Sequence, residues 1–375
     1  MVDPSEKKMR VGVLFGGRSG EHEVSLMSAR SVLAALDPNK YEVLQVGITH
    51  EGSWLVGNDV LGALTSGNIE DLSGACILPD PTRKGVYSIT ATKNGDLLEF
   101  LTGLDVIFPV LHGTFGEDGT IQGLFEIAEV AYVGAGVLGS SLGMDKAVFK
   151  DVMRTNGIPV VESATFTRSQ IESGLDELLD RSEKVAPYPL FVKPVNLGSS
   201  VGISKCHNRS HLVKALIDAA RYDRRVLVER GIHAREIEVS VLGNDNPEAS
   251  VPGEIIPADE FYSYEAKYHN DNSQLLIPAP ISPEITKQVQ SLAIRSFCAI
   301  DCSGMARVDF LLDKDTDELY LNELNSIPGF TRISMYPKLW NASGISYPVL
   351  VDRLIDLALE RKTERDKTER RYYRT

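Results

Sequence analysis

Unbroken apolar runs, stopped by glycine turns and followed by stretches of helical period, set the rhythm of the N-terminal part of the chain. Val11–Phe15 reads as a buried strand, GGRSGE as a turn, and His22 to about Leu36 as a helix. Val43–Ile48 and Asp105–Leu111 repeat the strand pattern. Strands alternating with helices predict an α/β layer on a parallel sheet. Between Gly52 and Gly103 the period is poor, and mixed turns with short strands are expected. Glycines 134, 136, 139 and 143 mark a break near residue 137. A helix from about Asp145 to Thr155 follows, ended by Asn156-Gly157. Leu190–Pro194 and Val201–Lys205 read as strands around the loop NLGSSVGIS, and His211–Tyr222 as a helix. The charged stretch Arg221–Arg225 reads as a link into a third unit, opened by the strand Val226–Glu229 and continued by REIEVSVLG. Three units are expected: 1–136, 137–222 and 223–375. The last helix should run from about Tyr347 to Glu360, with the charged tail beyond it frayed.

The richest pattern lies between Gly304 and Met335, after a helix expected at Pro283–Ile300. GMARVDFLLD and LYLNELN read as two strands joined by the polar turn Asp313–Glu318. A period of two puts Arg307 and Asp309 on one side of the first strand. It puts Leu319, Leu321, Glu323 and Asn325 together on one side of the second. If the strands pair, two carboxylates, an amide oxygen and a guanidinium converge. Those oxygens suit Mg²⁺ completed by phosphate oxygens, and the guanidinium suits an anion. For the hairpin taken alone, a solvated edge face is the commoner explanation of the same residues. What separates the two readings is the next segment, Ser326-Ile327-Pro328-Gly329-Phe330, whose Pro-Gly turn frees backbone N–H groups for a ligand.

Charge and cysteine content narrow the function classes. A net charge of −13 disfavours nucleic acid and anionic membranes as partners. No segment resembles a signal peptide or a membrane span. Cys76, Cys206, Cys298 and Cys302 form no C-x-x-C pair and are expected as buried free thiols of a cytoplasmic protein. Gly16-Gly17-x-x-Gly20 lacks the dinucleotide fingerprint, and NLGSSVGIS lacks the P-loop spacing. The GGRSGE turn and LHGTFGEDGT each fit either a ligand loop or a plain turn, and the small residues of NLGSSVGIS allow it to close over phosphates. Glu229 and Glu236 fit either a nucleoside acceptor or a solvated face.

The motifs GGRSGEHEVS, LHGTFGEDGTIQG, MDK, FVKPVNLGSSVG, REIEVSVLG, YEAKY, GMARVDF and NELNSIPGFT, in that order over about residues 10–360, resemble the D-alanine–D-alanine ligases of the ATP-grasp superfamily. The resemblance implies an ATP-grasp fold of three α/β units with ATP between the central and C-terminal ones. It implies ATP-dependent joining of two D-alanines through an acyl phosphate, for peptidoglycan, in a cytoplasmic homodimer. Asp309 and Glu323 would hold one Mg²⁺ or Mn²⁺ ion, and Glu323 and Asn325 a second. Lys146, Lys193, Gly198, Ser200 and Lys267 would face the ATP phosphates, with Glu229, Glu236 and Asn322 also in the ATP site. Glu21 would hold the first ammonium beside His112, and Arg307 with the Gly329 N–H would form the oxyanion site. Ser334 and Met335 would bind the second substrate. Glu21, Ser199 and Tyr268 would form a hydrogen-bonded triad closing a loop over the site. The departures are Arg18, Gly20 and Phe330, none of which removes a charge. D-alanine–D-serine and D-alanine–D-lactate ligases, other ATP-grasp enzymes such as a carboxylase subunit, and a silent nucleotide-binding regulator stand as alternatives.

Overall fold

Val11, Val13, Leu14 and Phe15 are all buried, because the strand that carries them lies inside a sheet covered on both faces. A computed structural model describes residues 8–198, 201–256 and 274–370. The first sheet contains β1 (Met9–Gly16), β2 (Tyr41–Ile48), β3 (Trp54–Val56), β4 (Ser73–Ile77), β5 (Val86–Thr92), β6 (Gly95–Thr102), β7 (Val106–Val110) and β8 (Ala131–Tyr132). Its order is β6-β5-β4-β3-β2-β1-β7-β8. The parallel layer expected from the apolar runs is the half made by β2, β1, β7 and β8. The stretch of poor period is an antiparallel meander, β3 to β6. Its outermost strand covers no core, so no period was there to read. Gly16 closes β1 at φ +90°, and a Cβ there would sit 2.1 Å from the Ile48 carbonyl oxygen, so only glycine fits.

The second sheet holds β9 (Ser163–Thr167), β10 (Leu190–Pro194), β11 (Ser204–Cys206) and β12 (Arg225–Arg230), in the order β11-β10-β12-β9. The expected boundary at 222/223 is therefore corrected. The strand read as opening the third unit is an inner strand of the central sheet, hydrogen-bonded to β10 and β9. The third sheet contains β13 (Ala234–Gly243), β14 (Glu248–Ala249), β15 (Gly253–Ile256), β16 (Gln274–Leu276), β17 (Gly304–Asp313) and β18 (Leu319–Asn325). Its path is β16-β15-β13-β17-β18, with β14 on β13.

One hydrophobic cluster ties the two ends of the chain together. Val11, Phe15 and Phe108 of the first sheet share it with Ile327, Phe330, Tyr336, Trp340, Leu350 and Leu354. Phe330, noted in the sequence as a departure, is its hub, with ring centroids 5.9 Å from Phe108, 5.7 Å from Tyr336 and 5.4 Å from Tyr347. The last helix runs Tyr347–Asp366, beyond the expected end at Glu360. Arg361 explains the extension. It donates to the Gly134 carbonyl, to the Tyr132 carbonyl at 3.0 Å and to Ser303 Oγ at 2.9 Å, and lies 4.2 Å over the Tyr132 ring. The start of the tail is thus a docking element, not a frayed end. The expected set of buried thiols also needs correction. All four cysteines are free, but Cys298 is exposed on its helix and Cys76 only partly buried.

Arg361→Met keeps the length of the side chain and removes its donors. It should cost about 2 kcal/mol in urea unfolding, because two backbone carbonyls lose their partner. Lys367→Ala, at an exposed residue of the same tail, should leave the midpoint unchanged.

Candidate active site

The hairpin pairs as expected. Arg307 lies opposite Asn325 and Asp309 opposite Glu323, while on the other side β13 sets Glu238 opposite Asp309. One feature of it departs from strict alternation. Asp309 pairs with Glu323 but Phe310 pairs with Leu321, leaving Asn322 as an inserted residue, a β-bulge. The expectation that Leu319, Leu321, Glu323 and Asn325 share a face is therefore wrong. The bulge changes phase, so that Leu319, Leu321 and Leu324 enter the core and Glu323 and Asn325 take the opposite face.

On that face the charges satisfy one another. Arg307 donates to Asp309 through Nε at 2.8 Å and Nη2 at 2.7 Å, and its Nε lies 3.1 Å from Glu238 Oε2. Asn325 Nδ2 donates to Asp309 Oδ2 at 3.0 Å. Glu323 lies 3.6 Å from Lys146 Nζ. Two carboxylates and an amide are hard donors that fill only part of a Mg²⁺ shell, so Asp309, Glu323 and Asn325 fit a cation completed by phosphate oxygens. Among the described residues no three acidic, His or Cys side chains gather tightly enough to hold a metal on their own.

Lys146 begins its helix directly after the N-cap Asp145, and its Nζ donates to the Leu197 carbonyl at 2.9 Å at the base of the glycine-serine loop. Lys193, the β10 residue before Pro194, pairs with Glu229, which lies 3.1 Å from Lys150 as well. Glu229 is therefore no solvated face: it is 3% exposed. Burial opposes its charge, but the two ammonium groups outweigh that and hold its carboxyl at about 2. Burial pushes the Lys150 ammonium below its ordinary value. Glu236 sits at the partly buried start of β13.

Glu21 lies at the N-terminus of the helix His22–Leu33, almost fully buried. Two glycines make room for it. A Cβ would fall 2.6 Å from its Oε2 at Gly113 and 2.9 Å at Gly198. A carboxylate at the start of the first helix thus lies against Gly198 of the loop expected over the phosphates. His112 is buried, and burial pushes its imidazole below the usual range. Both ring nitrogens are committed, Nδ1 to the Ile327 carbonyl at 2.9 Å and Nε2 to Ser28 Oγ at 3.0 Å. Glu117 accepts the N–H groups of Gly113 and Ile327, and burial with the neighbouring Glu21 charge pushes its carboxyl up to about 8.

Gly329 and Ser334 stand together, since a Cβ on Gly329 would meet Ser334 Oγ at 3.2 Å. Ser334 precedes the helix Met335–Ala342, and its Oγ accepts the Thr331 N–H at 3.1 Å. The Met335 side chain is buried and packs in a small core with Ile255 and Leu339. Ser199, Ser200, Lys267 and Tyr268 lie outside the described residues, and with them the expected triad.

Known proteins decide which family uses this arrangement. A model described as D-ala D-ala ligase N-terminus matches residues 10–135, and one described as D-ala D-ala ligase C-terminus matches residues 152–356. The chain belongs to the D-alanine–D-alanine ligase family. A D-alanine–D-alanine ligase of Natranaerobius thermophilus is 51% identical over 362 residues, 96% of this chain and 98% of that one. That of Heliobacterium modesticaldum is 52% identical over 365 residues, 97% and 98% of the two chains. Among solved structures, the D-alanine-D-alanine ligase from Coxiella burnetii superposes with a TM-score of 0.80 at 38% identity, covering 96% of this chain and 97% of its own. The VanG D-Ala:D-Ser ligase from Enterococcus faecalis gives a TM-score of 0.82 at 34% identity, covering 94% and 100%. The fold is ATP-grasp and the chain is an ATP-dependent ligase.

Several residues that the fold brings into this candidate site escaped the sequence reading. Lys150 carries a usable signal, four residues after Lys146 and so on the same face of its helix. Glu238 carries one too, two residues after Glu236 on a strand. Glu117 and Ser28 carry none, because their partners lie about 200 and 300 residues away in sequence.

Lys150→Met tests the buried charge triad. The Glu229 carboxyl sits lower in the folded chain than its ordinary 4.5. Its stabilisation is therefore complete above about pH 4.5 and is lost as pH falls toward 2. With one ammonium gone the value should recover. Stability of the variant should then fall less steeply than that of wild type as pH drops from 5 toward 2, the gap growing toward a limit of about 1.4 kcal/mol for each pKa unit regained. Parallel curves from urea unfolding would contradict the assignment.

Proposed function

We propose that this ligase joins two D-alanines at the expense of ATP, giving the D-alanyl-D-alanine of peptidoglycan. The observation that carries the reading is Glu21 lodged between Gly113 and Gly198. A carboxylate there can hold the ammonium of an amino acid while that molecule's own carboxylate reaches the phosphates. The neighbouring turn brings Gly329 and Ser334, and β17 brings Arg307.

A carboxylate resists amide formation because oxide is a poor leaving group. In the proposed reaction a carboxylate oxygen of the first D-alanine takes the γ-phosphoryl group, ADP leaves, and an acyl phosphate remains. The amine of the second D-alanine attacks the carbonyl carbon, loses a proton, and phosphate departs. Lys146 and Lys193 neutralise phosphate charge by exchanging their present carboxylate partners for phosphate oxygens. Arg307 and the Gly329 N–H face the developing oxyanion, and Ser334 takes the second carboxylate. Asp309, Glu323 and Asn325 would hold Mg²⁺ or Mn²⁺, two ions sharing Glu323, which when bound supply charge neutralisation between phosphate oxygens. Free thiols and a net charge of −13 support a cytoplasmic enzyme with no nucleic-acid or membrane partner. No helix among the described residues is long and apolar enough to cross a membrane. Family resemblance supports a homodimer. The likeness to a D-Ala:D-Ser ligase makes D-serine the second substrate to test beside D-alanine.

Phosphate release from ATP and Mg²⁺ should require D-alanine, with L-alanine, D-serine and D-lactate much poorer. Release that ignores D-alanine would sink the reading. Glu323→Gln should lower turnover by about 100-fold or more in a folded protein, since one neutral amide removes charge from both proposed ions. Tyr268→Phe should gain measurable D-alanyl-D-lactate synthesis below neutral pH, where free amine is scarcest. Equal product ratios in the two proteins would leave Tyr268 a packing role.

A further inference from the structure

Gly329 is bracketed by two residues whose backbones are pinned to the first domain. On one side stands Ile327. Its N–H donates to Glu117 Oε1 at 2.9 Å, and its carbonyl accepts from His112 Nδ1 at 2.9 Å. A carbonyl can only accept, so the His112 proton is on Nδ1 and Nε2 accepts from the Ser28 hydroxyl at 3.0 Å. On the other side stands Phe330, whose N–H donates to that same Ser28 oxygen at 3.2 Å. Pro328 has no N–H to give. The Gly329 N–H is therefore set by Ile327 on one side and Phe330 on the other.

Glu117 closes this arrangement at its other end, because its second oxygen accepts the Gly113 N–H at 2.8 Å. Gly113 follows His112 and packs on Glu21, the residue proposed for the first ammonium. One carboxyl thus spans two backbones more than 200 residues apart, the loop that shapes the ammonium site and the turn that shapes the oxyanion site.

We propose that Glu117 is a positioning residue that fixes the Gly329 N–H relative to Glu21, and so sets the distance between the ammonium and oxyanion ends of the first substrate site. This rests on the reading of Gly329 as the oxyanion donor. The residue type follows from the geometry. Two N–H donors from different loops need a lone pair on each of two oxygens of one rigid group, which a carboxyl offers with or without its proton. Glutamine offers one acceptor and one donor, so it leaves one N–H facing a donor. Aspartate is a methylene short and cannot reach both.

The test compares Glu117→Gln and Glu117→Asp with wild type in the full chain. Both variants should unfold near the wild-type temperature. Their kcat for D-alanine-dependent phosphate release should fall ~30-fold or more, toward the roughly 100-fold or greater loss of a removed oxyanion donor, while KM for ATP stays within about twofold. Amide hydrogen exchange at Ile327 should quicken about tenfold in Glu117→Gln with β1 unchanged. A kcat within about threefold of wild type, or an unchanged Ile327 exchange rate, overturns the proposal. A wild type that releases no phosphate with D-alanine would instead refute the function reading, and the exchange rate would still decide whether Glu117 holds the turn.

Discussion

The site proposed for ATP gathers several ammonium and guanidinium groups in a largely buried cluster. Burying a charge unpaired costs several kcal/mol, so each needs an acceptor within the protein. Here the carboxylates fill that need. Lys193 and Lys150 share Glu229, Lys146 lies beside Glu323, and Arg307 is forked onto Asp309 with Glu238 behind it. Residues suited to hold cations and residues suited to hold phosphates neutralise one another. Mutual neutralisation is what lets these charges sit together away from water.

The charged cluster sits in a fixed frame, and the frame comes from joining the two ends of the chain. The aromatic contacts of Phe330 lock the 326–330 turn against Phe108 of the first sheet, while Tyr336 and Tyr347 hold it from the C-terminal side. Tyr347 also donates its hydroxyl to the Phe330 carbonyl at 2.5 Å. Arg361 adds a second tie from the same helix to the end of the first sheet. The polar network through His112, Glu117 and Ser28 then works over a few ångströms between surfaces that hydrophobic packing has already brought together. Packing supplies the approach, and directional hydrogen bonds supply the register.

The sequence by itself determined the local elements and the chemistry they carry. Apolar runs and glycine stops placed β1, β2, β7 and β10, and the hairpin of β17 and β18, because strand period and turn chemistry are local properties. The ordered motifs showed the family for the same reason, since a phosphate loop or a Pro-Gly turn is written in consecutive residues. What only the tertiary structure decided depends on long-range pairing. The assignment of β12 to the central sheet needed β10 and β9 beside it. The bulge at Asn322 needed β17 opposite, because an inserted residue is defined only against a partner strand. Glu117 and Lys150 look like ordinary surface charges in the sequence, and become site residues when Ile327 and Glu229 arrive from far along the chain. A side chain's type is a local fact, but its partner is a property of the fold, and in this protein the partners decide the chemistry.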